Sequence, residues 1–140
     1  MMMAASKPVD QGVEVLKRLL IDARTDEQDE GGRSSLMFAA LKNNTDAVRL
    51  LITAGASLDL QDKDGWTALM FAAEAGHTDI LLQLLEAKAD PLVQSEKGWS
   101  ALMLAADNGH SPEVVSLLQA QADINACNAD GATALMLAVC

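Results

Sequence analysis

The chain has no tyrosine, and only two tryptophans and two phenylalanines among its 140 residues. Leu, Ala, Val and Met must therefore build the interior, and such cores are usually helical. Basic residues are also scarce: ten Lys plus Arg stand against 20 Asp plus Glu, for a net charge of −10. That balance repels phosphate backbones and anionic membrane surfaces, so neither nucleic acid nor membrane is an expected partner. The uninterrupted apolar stretches, such as Ala101 to Ala106, fall far short of the roughly 18 residues of a membrane span. At the N-terminus, five apolar residues precede Ser6, fewer than the roughly 7 to 15 of a secretory h-region. Two cysteines, Cys127 and Cys140, are too few for a disulfide framework and fit a reducing compartment. An intracellular location is expected, cytoplasmic with the nucleus left open.

What the sequence does have is a period. Met37, Met70, Met103 and Met136 are each 33 residues apart, as are Gly32, Gly65, Gly98 and Gly131. A similar block follows each glycine, for example Thr67-Ala68-Leu69-Met70-Phe71-Ala72-Ala73 and Ser100-Ala101-Leu102-Met103-Leu104-Ala105-Ala106. Units this short cannot bury their own apolar faces and have to stack on one another. Each block opens on a Ser or Thr that can cap a new helix and continues in strong helix formers. Asn43, Gly76 and Gly109 tolerate the left-handed conformation that ends it. Thr45-Asp46, Thr78-Asp79 and Ser111-Pro112 then read as the capped start of a second helix. Its apolar residues recur at i, i+3 and i+4: Val48/Leu51/Ile52, Leu81/Leu84/Leu85 and Val114/Leu117/Leu118. A polar, turn-rich stretch leads to the next glycine.

Residues 29 to 140 resemble the ankyrin repeat family. Asp62-Lys63-Asp64-Gly65-Trp66-Thr67-Ala68-Leu69-Met70-Phe71-Ala72-Ala73, Gly76-His77 and Ala89-Asp90 follow its pattern, as do Gly109-His110 and Ala122-Asp123-Ile124-Asn125. Where the family has Pro, this chain has Ser35, Ala68, Ala101 and Ala134; where it has a His that bonds back to the Thr, this chain has the Met column. Apolar Met packing is expected in place of that bond. The resemblance implies an all-α solenoid of helix-turn-helix units joined by hairpin-like loops. Residues 1–28 read as a degenerate N-terminal half-repeat or cap, 29–61, 62–94 and 95–127 as complete repeats, and 128–140 as a partial one. A repeat lacking its second helix leaves Leu135, Leu137 and Val139 uncovered, as expected of a fragment of a longer chain or an end covered by something else.

Candidate chemistry is thin. His77 and His110 occupy equivalent positions in successive repeats, roughly 10 Å apart, too far to share one zinc. The two cysteines match no zinc spacing. Ser100, in Gly98-Trp99-Ser100-Ala101-Leu102, lacks the closing glycine of a nucleophile elbow and occupies the helix-capping slot. Gly31-Gly32 lacks the lysine of a phosphate loop. No catalytic residue, cofactor or metal is assigned. The acidic run Asp26-Glu27-Gln28-Asp29-Glu30 reads as a solvated connector.

Positions set by the fold repeat, whereas positions free for recognition vary. The residue after each glycine is Arg33, Trp66, Trp99 or Ala132, which predicts exposed indoles stacked in successive repeats. With Arg33, Trp66 and Trp99, the variable residues Lys63, Asp64, Glu74, Glu96, Lys97, Asp107 and Asn108 are the candidate partner-binding set on the hairpin and concave side. No Lys or Arg follows Lys97, while Asp107, Glu113, Asp123 and Asp130 do, so a partner protein with a basic surface is expected. The chain reads as a monomeric, non-catalytic interaction module, a scaffold, adaptor or targeting part. The alternative is a structural piece that self-associates through its C-terminal edge.

Overall fold

The computed structural model of the chain describes residues 26–138. Helices arise wherever an extended Ser or Thr precedes the Leu-Met block. The hydroxyls of Ser34, Thr67 and Ser100 accept from the backbone N–H groups of Met37, Met70 and Met103 at 3.3–3.4 Å, starting α1 (Ser35–Leu41), α3 (Ala68–Ala75) and α5 (Ala101–Asp107). Each ends at a left-handed residue, Asn43, Gly76 or Gly109. The return helices are α2 (Thr45–Thr53), α4 (Thr78–Glu86) and α6 (Ser111–Gln119), and α7 (Ala134–Ala138) opens the fourth unit. The first helices α1, α3, α5 and α7 stack in one layer, and α2, α4 and α6 in a second behind it. Among the described residues the fold is therefore an all-α repeat solenoid. Of the half-repeat or cap read at residues 1–28, residues 1–25 lie outside the described residues.

The Met column is core. Met37, Met70 and Met103 are each 1% exposed, packed among Leu36, Leu69, Leu102 and the alanines of the first-helix layer. At α7 the pattern breaks, with Leu135 67% and Met136 53% exposed; Leu137, expected to be uncovered as well, instead packs partly buried against the core, and Val139 lies outside the described residues. No helix of the described residues is long and apolar enough to cross a membrane.

Two expectations are corrected. Thr45, Thr78 and Ser111 are the first helical residues rather than the caps; Asn44 caps α2 through its side chain, while His77 and His110 occupy the cap positions of α4 and α6 without a side-chain cap bond. His110 is used differently: its Nε2 lies 3.0 Å from the Glu74 carbonyl. Its ring packs so closely on Gly76 that a Cβ there would meet it at 2.9 Å. Glu113, expected on the acidic surface, is 2% exposed. It stands in the slot of Ala47 and Ile80, and the Thr78 hydroxyl donates to its Oε1 at 3.1 Å.

Candidate functional site

Hairpin tips are locked in register by three kinds of bond that repeat every 33 residues. The backbone N–H groups of Lys63, Glu96 and Ala129 donate to the carbonyls of Gly31, Asp64 and Lys97 at 2.7–3.0 Å. Glutamine side chains span the same gaps: Gln61 Nε2 donates to the Gly65 carbonyl within its own turn and to the Gln94 carbonyl of the next, and Gln28 and Gln94 repeat the arrangement. Within each turn, Asp29, Asp62, Ser95 or Asn128 accepts from the residue after the glycine. Gly65 is required by the close approach. It has φ 84°, and a Cβ there would lie 2.7 Å from the Glu96 nitrogen.

This ladder holds the residue after each glycine beside the first-helix layer. In the first repeat Arg33 is half-buried, its Cζ 5.4 Å from the Phe71 ring centroid and 6.0 Å from that of Phe38. Its Nε lies 3.9 Å from the buried Asp62 carboxylate. Trp66 takes that position in the second repeat, 5.1 Å from Phe71 with the rings tilted by 41°. Both indoles are half-buried against the core rather than freely exposed, and among the described residues they make no ring contact with one another. The floor comes from within the same repeat: Phe71, five positions on, lies beneath Trp66, and Leu104, in the equivalent position, lines the same depression as Trp99.

Eight of the ten candidate binding residues converge. Asp64, Trp66, Glu74, Glu96, Lys97, Trp99, Asp107 and Asn108, joined by Ser95 and Leu104, line one groove of about 430 Å³ between the hairpin ladder and the outer side of α3 and α5. Arg33 lines a neighbouring depression of about 300 Å³ with Asp62, Asp64, Trp66, Phe71 and Glu74. Lys63 is exposed on the hairpin and lines neither. Sequence comparison between repeats missed Ser95 and Leu104. Both depart from their column, Ser95 from the Asp of earlier turns and Leu104 from Phe38 and Phe71, so the same rule of variation could have found them.

A family model described as ankyrin repeats (3 copies) matches residues 1–95 and again residues 83–140. The chain belongs to the ankyrin repeat family. No curated protein matches it. Ankyrin repeats are in general protein–protein interaction modules and are typically non-catalytic. In this ankyrin-repeat chain the groove places two indoles among charged side chains on a rigid ladder.

Proposed function

We propose that the chain is a non-catalytic protein-binding module, a scaffold, adaptor or targeting part, that holds its partner on the hairpin face through the Trp66–Trp99 groove. The convergence of the repeat-to-repeat variable residues on one groove carries this reading, because a fold needs no variation at positions it alone determines. Trp at the centre of a shaped, partly desolvated depression is the commonest kind of interface anchor. Ankyrin repeats bind other proteins generally, which supports the class of partner. The exposed thiol of Cys127 suits a reducing, cytoplasmic setting.

The test is binding by the double variant Trp66→Ala plus Trp99→Ala. Partners retained by the unaltered chain should bind it at least about tenfold more weakly, roughly 1.4 kcal/mol, with the helical circular dichroism unchanged. Undiminished binding, or an unfolded double variant, makes the indoles scaffold and moves the recognition surface elsewhere. The second reading, self-association, draws on the exposed Leu135 and Met136 of α7. Light scattering decides it, since a chain that stays monomeric at high concentration counts against it.

A further inference from the structure

Two adjacent depressions on the hairpin face differ in who supplies the positive charge. In the first, the chain supplies it: the Arg33 guanidinium lies over Phe71 and Phe38 and faces the buried Asp62. One repeat on, the Arg33 position is Trp66 and the Asp62 position is Ser95, so the internal cation and its buried counter-ion are both replaced by neutral groups. The walls of the second groove become two indoles, and its rim carries Asp64, Glu74, Glu96 and Asp107 against the single ammonium of Lys97. All four carboxylate residues are exposed, and among the described residues none is in a salt bridge. Lys97 is likewise outside any such pair.

Aromatic faces beside carboxylates attract cations, and arginine most often, because its planar guanidinium stacks on a ring while its N–H groups fork onto carboxylate oxygens. We infer that the Trp66–Trp99 groove receives an arginine side chain from an extended basic segment of the partner protein, just as the first depression receives Arg33 from the chain itself. The guanidinium would lie against the indoles with Asp107 and Glu74 on one rim and Asp64 and Glu96 on the other. The inference rests on the groove being the partner-binding surface and adds the chemistry of what enters it. Lys97 opposes such a ligand, which gives the charge variants opposite signs.

The test titrates the full chain with an unstructured Gly-Ser peptide carrying spaced arginines, read at the two indole N–H resonances by NMR. Parallel peptides carry citrulline, lysine, glutamate or leucine at the same positions. Both indole resonances should move saturably with the arginine peptide, and citrulline should weaken binding at least about tenfold. Asp107→Asn should weaken binding, and Lys97→Ala tighten it, each by about two- to fivefold. Both sites are on the surface, so neither variant depends on a refolded core. Equal binding of the citrulline or lysine peptide, or weaker binding by Lys97→Ala, overturns the inference. If only the glutamate or leucine peptide moves the indoles, the arginine falls while the groove stands. If no peptide moves them, the arginine again falls, and loss of partner binding in the double indole variant then decides the groove separately.

Discussion

Glu113 shows how one side chain can depart from its column and still be accommodated. Ala47 and Ile80 fill the same slot with apolar atoms, whereas Glu113 brings a carboxylate into the first turn of α6, where the helix N-terminus favours negative charge, and takes a hydrogen bond from Thr78. Removing the donor should cost more than removing the pair. Thr78→Val is expected to destabilise the chain by about 1–3 kcal/mol, because it strips a buried carboxylate of its hydroxyl. Adding Glu113→Ile, which restores the residue of the preceding repeat, should recover most of that loss. Urea midpoints of the two single variants and the double measure the coupling, and additive losses would contradict it. Burial of Glu113 was partly legible: two apolar residues in its column point inward. Its acidic character pointed outward, and only contact with Thr78, 35 residues away, reconciles the two. The half-burial of Trp66 and Trp99 was hidden because variation between repeats does not show local packing: Trp66 leans on Phe71, five residues on in α3, and both indoles pack against the core.

At the scale of the elements, turns and helix ends were the most legible features. Left-handed positions fall at Asn43, Gly76 and Gly109 as the pattern predicts, because few residues adopt positive φ without cost. A second set ends the return helices, at Gly55, Lys88 and Gln121, and there two repeats use residues that pay a steric penalty. Nothing lies within 4 Å of a Cβ placed at Gly55, so at that position a side chain would meet backbone strain alone. Gln121→Gly should therefore stabilise the chain by about 0.5–1 kcal/mol, seen as a raised urea midpoint with an unchanged slope; no change would mean that the φ of 69° costs little. Helix α7 makes the opposite case. With Leu135 and Met136 exposed, its amides should exchange at much lower free energy than those of α3 to α5. Equal protection in a dilute monomer would contradict the uncovered face. The one-residue shift of the return-helix starts was not legible, since Thr-Asp and Ser-Pro suit either cap or first-turn positions, and the histidines before them hold the cap position without a capping bond.

Over the whole molecule, the 33-residue period carried the architecture, and repeat-to-repeat variation carried the groove. The period cannot show which varied residues face a common space. Lys63 and Glu96 share one column of the repeat, yet Glu96 lines the groove and Lys63 does not. Asp107, Asp123 and Asp130 keep the C-terminal part of the surface acidic, whereas Glu113 no longer contributes. Association with a basic partner should accordingly slow as salt rises, because steering between exposed charges is screened over about 8–10 Å; a salt-independent rate would contradict that. The central claim is that recognition takes place at the hairpin groove rather than on the outer helix layer. A photo-crosslinking side chain placed at Asn108, on the groove, and separately at Leu82, exposed on α4, tests it most directly. Partner adducts from position 108 and none from position 82 are the predicted result, and adducts from position 82 alone would contradict the account.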